Sequence, residues 1–328
     1  MLEHFYYYRS NSPCPWHNLA VEEHILMTLP PKTCVLYLYQ NENTVVIGKN
    51  QNAWKECRTE LLESESGKLA RRISGGGAVY HDMGNLNFSF ILDKEAYDLH
   101  RQLGVILSAV HALGISAEFS GRNDILSEGA KFSGNAFCYK KTGAFHHGTI
   151  LIGADMTKLS RYLSVSKDKI ASKGVDSVRS RVCNLQDRRP DVDVDMMVDA
   201  LKKSFAKEYG AFTPLEIDDT AAIDALEARN ATWQWRLGSS PAFDIETCTR
   251  FSWGSAELCF SFQNGIVTNA HVYSDAMDEE FIARVPTAMI GAAFKSEELA
   301  ARITTLTGSD AQKKMANDIA TFLLQKGY

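Results

Sequence analysis

No two cysteines of this chain form a C-x-x-C pair, no apolar run reaches 18 residues, and no basic excess dominates the charge. The seven cysteines, Cys14, Cys34, Cys57, Cys138, Cys183, Cys248 and Cys259, are odd in number and scattered, so neither a disulfide framework nor a zinc knuckle is expected. The opening residues Met1-Leu2-Glu3-His4-Phe5-Tyr6 lack a basic stretch leading into an apolar one. With no spanning segment either, the expectation is a cytoplasmic protein with no membrane partner. A net charge of −5 runs against a nucleic-acid partner, which needs a basic field over its phosphates. Internal repeats and low-complexity stretches are missing too, which sets aside fibrous and disordered readings.

What is there is an ordinary globular composition, with 45% hydrophobic and 23% charged residues over 328 positions. That length favours a large domain plus a smaller one. Pro15–Leu26 reads as an early helix ended by Pro30-Pro31. The short β-branched and aromatic runs Cys34–Tyr39 and Thr44–Ile47, parted by Asn41-Glu42-Asn43, suggest a hairpin of buried strands, and Asn87–Ile91 an alternating strand. Leu99, Leu103, Ile106, Val110 and Leu113 fall at helical steps, with Gly114 just past the end. Thr149–Ile152 reads as a strand and Asp191–Tyr209 as a helix.

Strands and helices mix without regular βαβ alternation, so the expected class is α+β, a mixed sheet flanked by helices. The stretch Arg229–Pro241 breaks the pattern and looks like a crossing between units. Beyond it, Glu257–Phe262 and Ile266–Tyr273 flank the two-residue turn Asn264-Gly265, and helices are expected near Asp278–Ile290, Glu297–Thr305 and Ser309–Gln325. The expected division is 1–243 for the large domain and 244–328 for a small α+β domain.

The most informative stretch is Arg71-Arg72-Ile73-Ser74-Gly75-Gly76-Gly77-Ala78-Val79-Tyr80-His81-Asp82. Three glycines let backbone N–H groups converge on negative charge, and two arginines supply forked donors for carboxylate or phosphate. It matches neither the G-x-x-x-x-G-K-[ST] nor the G-x-G-x-x-G nucleotide pattern. A second cluster is Gly121-Arg122-Asn123-Asp124, then Lys131-Phe132-Ser133-Gly134-Asn135-Ala136, where a lysine beside small residues can direct its ammonium into a tight site. A third is His146-His147-Gly148. Neighbours on a strand point to opposite faces, so a two-histidine metal site is not expected. Between Lys158 and Arg181 stand seven basic residues against two acidic ones, a local excess able to hold an anion.

Together these segments resemble the lipoate–protein ligase A family in its long, two-domain bacterial form, whose signatures are RRxSGGGxVYHD, GRND, KxSGxA and a late VRSRVxNL run. The likeness covers nearly the whole chain, taking in Asn18–Glu23, Asn52–Cys57, Trp233–Trp235, Pro241–Phe243 and Phe251–Gly254. It implies the fold shared by biotin and lipoate ligases, with an accessory C-terminal domain. It also implies that ATP and its adenylate are bound by Arg72, Gly77, Ala78, Val79, Tyr80, Lys131, Lys173, Arg179 and Arg181. Lipoate would lie against Arg71, Ile73, Ser74, Gly75, Gly76, Lys131 and His147.

The implied reaction joins lipoate and ATP into lipoyl-AMP and pyrophosphate, with Mg²⁺ and Lys131 sharing the charge that develops. A lysine of an acceptor then takes the lipoyl group, the acceptors being lipoyl domains of 2-oxoacid dehydrogenases and the glycine cleavage H protein. Asp124 and His81 are candidates for the base, and Asp124 equally for a Mg²⁺ ligand. Two other readings stay open: an ATP-independent octanoyl or lipoyl transferase with Cys138 as nucleophile, and a non-catalytic binder of lipoate or lipoyl domains.

Overall fold

The computed structural model describes residues 2–120, 124–141, 143–163, 182–237 and 244–328. Lys173, Arg179 and Arg181 of the basic segment lie outside these residues, as do Gly121–Asn123 and Gly238–Phe243. Two compact units are present. The first comprises Met1–Ile47, Ala53–Ile73 and Ala78–Arg236; the second comprises Gly48–Asn52, Ser74–Gly77 and Leu237–Tyr328.

The strands of the first unit run, in chain order, β1 His4–Arg9, β2 Thr33–Tyr39, β3 Thr44–Ile47, β4 Lys68–Arg71, β5 Val79–His81 and β6 Asn85–Asp93. They continue with β7 Glu118–Phe119, β8 Asp124–Ser127, β9 Ala130–Tyr139, β10 Gly143–Leu151 and β11 Thr213–Pro214. Among the described residues they build a mixed sheet in the order β11-β1-β2-β6-β10-β9-β8-β7, and a small one in the order β4-β3-β5. β1 lies parallel to β2 and β11, while the pairs from β2 through β7 are antiparallel.

Both faces of the large sheet are covered, which is why β2 is buried along its whole length and shows no polar alternation. One face presents Leu36, Leu38, Phe88 and Phe90 to Leu103, Ile106, Val110, Leu201 and Phe205 of the helices Leu99–Ala112 and Val194–Tyr209. The other presents Val35, Tyr37, Ile91, Cys138 and Phe145 to Ala20, Val21 and Ile25 of the helix Pro15–Thr28. The helix expected from Leu99 is present, capped by the Asp98 side chain on Arg101 N–H and followed by Gly114 at φ 73°. The helix expected from Asp191 starts at Val194, because Asp193 caps it while Asp191 pairs with Arg189.

The expected hairpin of Cys34–Tyr39 with Thr44–Ile47 does not form. β2 pairs with β1 and β6, whereas β3 joins β4 and β5 in the other sheet. Asn18 redirects the chain between them: its Nδ2 donates to Gln40 O and Asn41 Oδ1, and Asn43 follows at φ 38°. A short apolar run specifies burial, not a partner strand.

In the second unit, β12 Ile245–Phe251, β13 Gly254–Gln263 and β14 Ile266–Ser274 form an antiparallel meander. Asn264 and Gly265 turn β13 into β14 with φ of 52° and 75°, the left-handed pair that suits a tight hairpin. The sheet's apolar face, with Leu258, Phe260 and Val272, packs on Phe281, Leu299 and Ile319 from the helices Glu279–Met289, Ser296–Thr304 and Asp310–Lys326. No helix among the described residues is long and apolar enough to cross a membrane.

Candidate functional site

Cross-strand register places one strip of side chains on the sheet face that meets the helix Pro15–Thr28. Tyr37 lies opposite Ser89, Ser89 opposite His147, and His147 opposite Ala136; Tyr39, Asn87 and Thr149 form the next row. Residues directly opposite share a face, so the strip runs from the apolar group Val35, Ile91, Phe145 and Cys138 to the polar group Asn87, Thr149 and Gly134. Asp124 of β8 follows, directly opposite Gly134.

Lys131 reaches this strip through an irregularity. Ser133 faces Ile125 and Lys131 faces Leu126, so Phe132 is an extra residue on β9. The bulge changes the parity of the strand and puts Lys131 and Gly134, three apart, on one side. The lysine then lies across Gly134, where an added Cβ would stand 2.8 Å from its Nζ. Its ammonium meets Asp124 Oδ1 at 2.6 Å, with the two side chains 35% and 34% exposed. Behind it, Lys131 O accepts from Cys183 N–H at 2.9 Å and Val182 pairs with Lys131. The described chain thus resumes after Arg181 directly beside Lys131.

The two histidines separate as expected. His147 turns to the strip and donates from Nδ1 to the buried carboxylate of Glu22, at 2.9 and 3.0 Å from its oxygens. His146 turns to the other face, where Nε2 contacts Asn135 Oδ1 at 2.7 Å among Phe88, Phe90 and Phe137. Burial drives His146 down to a pKa of about 3 and does the same to His81, which therefore stay neutral. Asn41 Nδ2 donates to His81 Nδ1, which leaves the proton on Nε2, a buried atom with no hydrogen-bond partner among the described residues.

Arg72 is 5% exposed. Burial lowers its pKa to about 10, opposed by the neighbouring Tyr39 and Glu22, so the guanidinium remains charged at neutral pH. One of its nitrogens donates to Val46 O at 3.4 Å. Arg71 points elsewhere: Nε and one terminal nitrogen donate to the carbonyls of Trp235 and Arg236, and Trp235 Nε1 donates back to Arg71 O. Tyr80 donates to Asn43 Oδ1, Ile73 packs against the Tyr37 cluster, and Val79 against Leu19, Val46 and Ala70.

Ser74–Gly77 group with the second unit. There Gly76 takes φ 90° and donates to Ala276 O at 3.2 Å, while Ser74 O accepts from Lys49 N–H. A Cβ on Gly75 would come within 2.3 Å of Ala276 O, whereas one on Gly77 would meet nothing within 4 Å among the described residues. Among the described residues, the grouping of acidic, cysteine and histidine atoms close enough for one ion is Glu246, Glu257 and Cys259, in the second unit. Among the described residues Asp124 has no second carboxylate in such a group, although one carboxylate with substrate phosphates is a usual Mg²⁺ shell.

Glu22 and Asn41 were not singled out from sequence as site residues. The signal for Glu22 is a second carboxylate in a helix buried nearly all round, where the adjacent Glu23 is taken up by an ion pair with Arg229.

A buried arginine, a lysine set across a glycine and an amphiphilic sheet face form a site able to hold an anion beside an apolar chain. Residues 14–206 match the lipoyl protein ligase A/B catalytic domain and residues 240–323 the bacterial lipoate protein ligase C-terminus. The chain belongs to the lipoate–protein ligase family, a family of ligases. It is similar over 98% of its length, at 27% identity and a TM-score of 0.86, to 99% of LipL1 from P. falciparum, solved in complex with lipoate. A bipartite lipoate protein ligase from Thermoplasma acidophilum, studied with its E2 lipoyl domain, is 26% identical over 75% of this chain and 100% of that one, with a TM-score of 0.64. A lipoate-protein ligase A bound with ATP gives 25% identity over 73% and 99%, with a TM-score of 0.62.

Proposed function

We propose that this protein activates free lipoate with ATP, forming lipoyl-AMP and pyrophosphate, and transfers the lipoyl group to the lysine of a lipoyl domain. The observation that carries the reading is Lys131, set over Gly134 at the polar end of a sheet face whose other end is apolar. Such a face suits lipoate, whose methylenes favour burial by roughly 0.8 kcal/mol each while its carboxylate needs a cation. The similar structures with lipoate, with ATP and with an E2 lipoyl domain support the same assignment. The H protein of glycine cleavage follows as a further acceptor from the family resemblance. Residues 1–243 carry catalysis in this reading, and 244–328 form the accessory domain.

A carboxylate oxygen of lipoate attacks the α-phosphorus of ATP, a C–O–P link forms, and the bond to pyrophosphate breaks. Lys131 and Arg72 face the charge on the phosphoryl oxygens, and the loop from Gly77 to Tyr80 carries the nucleotide together with Lys173, Arg179 and Arg181. Ile73 and His147 border the lipoyl chain, with Ser74–Gly76 as the closing loop. Mg²⁺ accompanying the phosphates would add charge neutralisation. The deprotonated acceptor amine then attacks the acyl carbon, the amide forms, and AMP leaves with its electron pair.

Cys138 is fully buried among Val35, Tyr37 and Phe145, which counts against a cysteine relay. Lys131→Ala tests the assignment: pyrophosphate release from ATP and lipoate should be abolished while the circular dichroism spectrum is kept. Release near the wild-type rate would refute it.

A further inference from the structure

We infer that Asp124 is a positioning residue that parks the ammonium of Lys131 over Gly134 until substrate carboxylate and phosphate replace it. The inference rests on the ligase reading above and deepens it. Three observations converge. Asp124 stands directly opposite Gly134 in register, the bulge at Phe132 turns Lys131 to that side, and the missing side chain at 134 leaves the ammonium its path. The resulting contact is a single Nζ–Oδ1 bond of 2.6 Å.

Exposure decides what such a pair can do. With about a third of each side chain in water, the attraction is screened and is not a structural lock. It is strong enough to select one direction for a lysine stem with four rotatable bonds, and weak enough to yield to a doubly anionic substrate pair. Lys131 is thereby oriented before ATP and lipoate arrive, and orientation is lost if Asp124 loses its charge.

The test separates the two half-reactions of the full-length protein. Pyrophosphate release is followed across lipoate concentrations, and transfer is followed from pre-made lipoyl-AMP to a lipoyl domain. Asp124→Asn should lower kcat for pyrophosphate release roughly 10-fold without raising KM for lipoate, and leave transfer within about twofold of wild type. Asp124→Glu, which keeps the carboxylate, should recover most of the loss. Gly134→Ala should impair the same half-reaction by pushing Lys131 aside.

Loss confined to transfer would make Asp124 the base and overturn the inference. Loss cancelled by raising Mg²⁺ would make it a metal ligand and overturn it too, as would unchanged pyrophosphate release. A second measurement holds if turnover is too low: by calorimetry, Asp124→Asn should tighten lipoate binding in the wild-type background, where the carboxylate no longer competes for the ammonium, and leave it unchanged beside Lys131→Ala. An equal shift in both backgrounds contradicts action through Lys131. Wild-type protein silent in both half-reactions would overturn the ligase reading itself, whereas an active wild type with an unaffected Asp124→Asn would overturn the inference alone.

Discussion

The buried carboxylate of Glu22 accepts from Nδ1 of His147, joining the helix Pro15–Thr28 to the centre of the large sheet. A polar pair in a dry layer is costly to break, because the surviving partner keeps its desolvation cost without its hydrogen bond. Glu22→Ala should therefore destabilise the protein by about 3 kcal/mol, and Glu22→Gln by less, since an amide oxygen still accepts. Urea unfolding followed by circular dichroism measures both. A midpoint unchanged in Glu22→Ala would contradict the pairing.

His81 and His146 set the acid limit of the fold. Both have folded pKa values pushed down by burial to about 3, below the ordinary value of 6.5. Protons then bind the unfolded chain first, so the stability is fully present above pH 6.5 and is lost as pH falls from there toward 3. At pH 5 the loss is about 2 kcal/mol for each residue. Comparing urea midpoints at pH 7 and pH 5 for wild type and His146→Phe checks this: the variant's acid loss should be smaller by roughly that amount.

The glycines of the loop divide into two kinds. Gly75→Ala drives a Cβ into the carbonyls of Ala276 and Met277, so it should destabilise by about 1–3 kcal/mol. Gly77→Ala meets open space and should melt like wild type. If the Gly77 backbone carries ATP, that variant should raise KM for ATP all the same. Parallel thermal melts and pyrophosphate assays separate the two, and a destabilised Gly77→Ala would contradict the geometry.

Local signals read from the sequence survive where the physics is local. The helical steps from Leu99 to Leu113, the Asn264-Gly265 turn and the opposed faces of His146 and His147 depend only on neighbours in the chain. The strand partners of Cys34–Tyr39 and Thr44–Ile47 depend on long-range packing, which is why the expected hairpin fails. Lys131 and Gly134 were legible as residues and not as a pair, since a regular strand sends positions three apart to opposite faces and only the bulge brings them together. Arg71 and Arg72 look alike in sequence, yet one is tied to the Trp235 and Arg236 carbonyls and the other is buried.

The ligase reading is tested most directly by the intact mass of a lipoyl domain incubated with this protein, lipoate, Mg²⁺ and ATP. The domain should gain the mass of one lipoyl group, and should gain nothing when ATP is left out or when Lys131→Ala replaces the wild-type protein. A gain without ATP, or no gain with every component present, would contradict it.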